Sequence, residues 1–321
     1  MNTLYLIGNG FDISLGLKTR YSDFYKEYKQ SAPVKEVEGM IIKDITDNEK
    51  TWSDMEKKLG EFTAKVDDPE AFIVAYESLY IKLCNYLKDQ NNLFPDKLIG
   101  KYYQNLANPF VPLTPAEQVR FKSFINGLPS GNTIDLISFN YTNAFQKASG
   151  FGYNSDELKS ESFRGSIKLN SLHQIHGSLG STVLFGVNDV SQIKNTSFAG
   201  NPNITDFLVK PQLNANLGSL RDEVALNQIQ NANLIVVFGM SIGVTDRTWW
   251  QTVANRLKGG SISLLIFYHT DNEIPVNLQW KIQRVKRVVK NRFLDIAGIN
   301  GAERETLSQR ITVSLSSPFN L

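Results

Sequence analysis

Short stretches of consecutive apolar residues stand out along the chain: Leu4–Ile7, Ile134–Phe139, Leu234–Phe238 and Ser263–Tyr268. Continuous rather than alternating apolar character is the pattern of strands buried on both faces, as in a parallel sheet covered by helices. Each stretch runs directly into polar or glycine-containing residues, as expected at the carboxyl ends of strands in a doubly wound sheet. A weaker run, Thr182–Phe185, is expected at a sheet edge.

Between the first two runs the apolar residues change to helical spacing. Trp52–Val66 and Pro69–Gln90 read as helices, and Pro115 with Thr114 as N-cap introduces another through about Phe124. The expected architecture is therefore an α/β, Rossmann-like, doubly wound parallel sheet. Its core would be residues 1–21 and 130–321, interrupted by a large, mostly helical insertion at 22–129. Two stretches lack a period, Gly150–Gly165 and Asn188–Leu217, and are expected as long loops. Loops of that length in a compact domain are often functional.

Composition narrows the class. Hydrophobic residues make up 41% and charged residues 21%, so there is ample material for a core. The net charge of +2 gives no whole-molecule attraction for a polyanion. Cys84 is the single cysteine, which excludes an internal disulfide and a zinc site built on cysteines. That usage favours an intracellular setting, and the chain is expected in the cytoplasm. The start, MNTLYLIGNGF, lacks the basic and long apolar regions of a secretory signal, and no stretch approaches the ~20 apolar residues that span a bilayer. No membrane and no metal are expected.

Chemistry concentrates where strands end. Gly8, Asn9, Gly10, Phe11 and Asp12 follow the first run; glycines there let backbone N–H groups approach a ligand, and a helix start favours an anion. The third glycine of a dinucleotide fingerprint is replaced by Ile13, so a tight turn capped by Asp12 is the plain structural alternative. Asn140, after the second run, offers a donor and an acceptor to a water or a ribose hydroxyl, or serves as a turn residue. His176, Gly177 and Ser178 place an imidazole beside an open glycine; only three histidines occur in the chain. Gly239, Ser241 and Gly243, with Asp246 downstream, offer a second backbone cradle, while Trp249 and Trp250 read as packing residues. On one sheet the strand-end turns meet at one edge, where such folds bind ligands. A nucleotide is the expected ligand.

These motifs resemble, in their order, those of sirtuin-like proteins, and more closely those of the AbiH family of phage abortive-infection proteins. The residues that carry the resemblance are LYLIGNGFD near the start, Tyr21–Phe24, Trp52–Glu56, SFNYT around Asn140, QIHGS around His176, Leu184–Asp189 and FGMSIGVTD around Ser241. They extend over most of the chain. The sirtuin-like resemblance implies that Gly8 and Gly10 hold a pyrophosphate and that Asn140 orients a water or the nicotinamide ribose. It implies further that His176 is a base and that Gly239 and Ser241 hold the adenosine half. Asp12 stands where a sirtuin usually has Ser, Thr142 replaces an acidic residue, and the zinc cysteines are missing, which removes protein deacylation.

The resemblance implies an anti-phage protein that binds NAD or a related nucleotide, as substrate or ligand, and hydrolyses its N-glycosidic bond. The alternative is a non-catalytic nucleotide-binding sensor. Less expected is a nucleic-acid-acting toxin, which a basic helix face at Lys281, Arg284, Arg287 and Lys290 would serve. A phage-derived activator and self-association into a homo-oligomer complete the expectations.

Overall fold

The structure, a computed structural model, describes residues 1–128, 132–152, 158–160, 167–270, 274–275 and 277–319. Among them the chain forms one parallel sheet from β1 (Asn2–Ile7), β2 (Asn132–Ser138), β3 (Ile167–Gln174), β4 (Leu234–Phe238), β5 (Ser263–Phe267) and β6 (Ile311–Ser314). The order is β3-β2-β1-β4-β5-β6. The chain therefore builds outward from β1 on one side, then returns to its other side with β4. That reversal makes the crevice at the carboxyl ends of β1 and β4 the switch point of a Rossmann-like sheet.

Helices cover both faces. In chain order they are α1 (Gly10–Ser14), α2 (Tyr21–Tyr28), α3 (Glu36–Asn48), α4 (Met55–Phe62), α5 (Pro69–Asn92), α6 (Tyr103–Leu106), α7 (Pro115–Asn126) and α8 (Ala144–Ser149). They continue with α9 (Thr196–Ala199), α10 (Pro202–Leu208), α11 (Lys210–Asn216), α12 (Arg221–Asn231), α13 (Arg247–Lys258), α14 (Gln279–Ile296) and α15 (Gly301–Gln309). Tyr5, Ile7, Leu136, Val236, Phe238 and Leu265 pack against α1, α6, α7 and α8. Their strand neighbours Leu4, Leu6, Ile137, Ile235, Val237 and Leu264 pack against α12 to α15. Successive residues of one strand point to opposite faces, so a strand buried on both must be apolar throughout. Among the described residues no helix is long and apolar enough to cross a membrane.

The residues of the expected helical insertion, 22–129, pack in two places. Phe24, Tyr25, Ile41, Trp52, Phe62, Phe72 and Leu79 build a third core together with Phe185, Val187, Phe198 and Leu208. Phe94, Tyr103, Leu106, Phe110, Phe121 and Ile125 instead cover the sheet. Helix α7 begins as its capping box requires, with Thr114 and Glu117 each bonding the other's main chain.

Several expected elements differ. Trp52–Val66 is not one helix: Asp54 adopts an extended conformation and its carboxylate caps Lys57 N–H, so α4 starts afresh at Met55. Thr182–Phe185 is no sheet strand; Val183 makes only an isolated bridge to Gly177. Asn188–Leu217 is not irregular. Asn195 and Asn201, which read as loop residues, are N-caps of α9 and α10. Two strands escaped the apolar-run criterion. β3 pairs only with β2 and carries polar residues along an edge, and β6 is four residues long. Residues 153–157 and 161–165 of the expected loop Gly150–Gly165 lie outside the described residues.

Candidate functional site

The sheet register lines up the strand ends. Ile7 lies beside Ser138 and Phe238, Ser138 beside Gln174, and Phe238 beside Phe267. The residues that follow each strand are thereby brought together around a cavity of about 1240 Å³. Of the residues singled out in the sequence, Gly8, Asn9, Gly10, Asp12, Asn140, His176, Gly239, Ser241 and Asp246 line it.

The glycines interlock two turns. Gly8 N–H donates to Phe238 O at 2.9 Å, and Gly10 N–H to Gly239 O at 2.7 Å. A Cβ on Gly10 would stand 2.6 Å from Gly239 Cα, and Gly239 itself has φ +70°. Both N–H groups implied to cradle a pyrophosphate are thus engaged within the protein. Phe11 faces away from the cavity, in edge-to-face contact with Phe145 and Phe319 in the core. Asn9 is tied to Thr19, whose hydroxyl and carbonyl meet its two side-chain groups.

Asp12 is only 1% exposed. Asn140 Nδ2 donates to its Oδ1 at 2.8 Å, and the Thr142 hydroxyl donates to its Oδ2. Burial pushes the carboxyl up to about 6, against the pull of these two bonds. Asn140 is 4% exposed, and its Oδ1 has no partner among the described residues. Gln174 Nε2 binds the carbonyls of both Asn140 (3.1 Å) and Thr142 (2.8 Å), which fixes the turn that carries them.

The neighbouring residue, Tyr141, reaches the opposite way. Its hydroxyl donates to Glu56 Oε1 at 2.7 Å, and Lys210 Nζ donates to Glu56 Oε2 at 2.7 Å. Glu56 and Lys210 are both buried, joining α4 to α11. Tyr21 hydrogen-bonds Tyr141. Thr245 hydrogen-bonds Asp54, the cap of α4. Asp246 stands near Lys210, Glu56 and Asp54; burial raises its carboxyl to about 6, with Lys210 opposing. His176 packs edge-to-face on Phe139, 5.4 Å between centroids. Burial, then the Lys210 ammonium, hold its imidazole well below the usual range, while a hydrogen bond to the Phe139 main chain pulls the other way. It is a neutral acceptor at neutral pH.

Gly177 and Ser178 are not brought to the cavity. Gly177 has φ +75° and turns against Thr182, where a Cβ would overlap the carbonyl, and Ser178 meets Ser181 at 3.2 Å. Trp250 is fully buried against Phe293, and Trp249 packs on Phe139. On the basic helix face, Lys281, Arg284 and Arg287 are exposed, whereas Lys290 is half-buried and donates to Ser308 O. Arg20 and Lys50, both exposed, line the cavity and give it cations. Among the described residues no group of three or more His, Cys, Asp or Glu is placed to hold a metal ion.

Glu56, Lys210, Tyr21 and Asp54 were not singled out as site residues. Tyr21, Asp54 and Glu56 do lie within the runs that carry the family resemblance, which was the available signal. Nothing around Lys210 marks it, because a buried lysine is recognised only by its partner. A family model described as bacteriophage abortive infection AbiH matches residues 4–268, well over half of the chain. No curated protein matches it.

Proposed function

The chain belongs to the bacteriophage abortive infection AbiH family, and on that premise we propose that it binds NAD or a related nucleotide in the switch-point cavity and hydrolyses its N-glycosidic bond. The observation that carries this reading is Asn140. It lines the cavity with its Nδ2 engaged by Asp12 and its Oδ1 without a donor among the described residues. A buried acceptor without a partner costs about 1–3 kcal/mol, and a ribose hydroxyl or a bound water supplies the missing donor.

The chemistry follows from the charges. The bond from C1′ to the ring nitrogen breaks with its electron pair going to nitrogen, so a cationic ring leaves neutral and needs no acid. Positive charge develops on the ribose, and the Asp12 and Asp246 carboxylates on the cavity wall oppose it with negative charge. Water oxygen bonds C1′ and its proton passes to the neutral imidazole of His176. With the N–H groups of Gly8 and Gly10 engaged, Arg20 and Lys50 are the cations that face a pyrophosphate. A phage-derived activator belongs to the same proposal.

NAD followed over time with purified protein tests the reading. Asn140→Ala is expected to reduce turnover about 10²–10³-fold, and His176→Ala by about 10²-fold or more. Full turnover by Asn140→Ala contradicts it. The low basicity of His176 favours a second reading, a nucleotide sensor without turnover; tight ADP-ribose binding with no loss of NAD, even with phage components added, would support that instead.

A further inference from the structure

We propose that Asp12 is a positioning residue: it acts through Asn140, and only as the ionised carboxylate does it hold that amide with nitrogen inward and oxygen toward the ligand. The proposal rests on the nucleotide reading for its ligand, though not for its geometry. An ionised carboxylate only accepts hydrogen bonds. As an ionised carboxylate, Asp12 accepts from both groups that meet it, the Asn140 amide at one oxygen and the Thr142 hydroxyl at the other. The rest of the turn has little freedom. Gln174 pins the carbonyls on both sides of Tyr141, and Asn140 N–H donates to Ser138 Oγ at 3.2 Å. What remains free is the half-turn of the Asn140 amide, which exchanges its oxygen and nitrogen.

A proton on Asp12 converts one acceptor into a donor. With the proton on Oδ1, the oxygen that meets Asn140, the carboxyl donates to the amide oxygen, the amide turns over, and an N–H stands where the acceptor stood. A hydroxyl held as a donor loses its place. Burial already brings the Asp12 carboxyl to about 6, within reach of such a change. Among the described residues no charged group offsets it. The cavity also contains Arg20, Glu49, Lys50, Asp54, Glu56, His176, Asp246 and His269. None of these acts on Asp12 appreciably; the groups that do are Thr142 and Asn140. Tyr141, between them, directs its hydroxyl to Glu56 instead.

The test has a ligand-free arm and a binding arm, both on the full chain. The Asn140 side-chain amide signal, identified by its loss in Asn140→Ala, is followed by NMR from pH 4.5 to 8. In the wild type it is expected to shift with a midpoint near the Asp12 value of about 6, and in Asp12→Asn to show no such titration. Thr142→Val, which removes one donor to the carboxylate, is expected to move the midpoint upward. ADP-ribose binding by calorimetry is expected to weaken about tenfold in the wild type between pH 7.5 and 5, the effect of one lost hydrogen bond. Asp12→Asn is expected to bind weakly at both. An Asn140 signal that does not titrate, or wild-type affinity in Asp12→Asn at both pH values, overturns the proposal. The expected titration without binding of NAD or ADP-ribose leaves the Asp12–Asn140 pair standing and overturns the nucleotide reading.

Discussion

Asp12 and Asp246 carry opposite value for function and for stability. Each carboxyl sits at about 6 in the folded chain against 3.8 ordinarily. Between those values the folded state holds more protons than the unfolded one. The stability contributed by each protonated group is complete below the ordinary value and is lost as pH rises through 6. For Asp12, which is fully buried, the difference corresponds to about 3 kcal/mol. Asp12→Asn is therefore expected to melt higher than the wild type at pH 7.5, with the gap closing by pH 4.5. A lower melting temperature at pH 7.5 would mean that the two hydrogen bonds outweigh burial. Gly10 bears a different constraint, since a Cβ there collides with Gly239 backbone. Gly10→Ala is expected to lose about 2 kcal/mol or more in denaturant unfolding; an unchanged midpoint would show that the two turns can separate. The glycines were legible in the sequence as a turn. The turn at Gly239 was legible too, and its place at the same sheet edge, but not the hydrogen bonds that interlock the two turns more than two hundred residues apart.

Among the elements, the buried Glu56–Lys210 pair carries the argument for how the helices are held over the strand ends. It joins α4 to α11, and Tyr141 brings in the turn after β2. Removing one member leaves the other charge buried and alone, which costs about 3–5 kcal/mol. Lys210→Met is expected to lose that much by chemical denaturation, and Lys210→Met with Glu56→Gln to recover part of it. Equal stability of Lys210→Met and wild type would show that water reaches Glu56. Legibility followed burial. β4 is apolar throughout, and β1 and β5 are apolar after their first residues, because helices cover both sides, and their runs mark them. β3 shows one edge to solvent and breaks its pairing register between Ile134 and Asp135, so no such run exists. In the segment from Asn188 to Leu217, asparagines that signal loops also cap helices, and composition alone cannot separate the two uses.

At the scale of the whole molecule, the near-neutral charge of +2 conceals an uneven cavity. Its wall carries Asp12, Glu49, Asp54, Glu56 and Asp246, while Arg20 and Lys50 line it from exposed positions. The strand order that produces the cavity was legible only as a class, since apolar runs identify strands but not their neighbours. A ligand with an anionic middle and a cationic reacting end fits this division of charge, as NAD does. NAD followed in bacteria carrying this chain, during infection by a phage that it arrests, tests the hydrolase reading most directly. NAD is expected to fall before growth stops with the wild type, and to hold steady with Asn140→Ala present at equal protein level. Arrest with NAD unchanged, or an equal fall with Asn140→Ala, would contradict it.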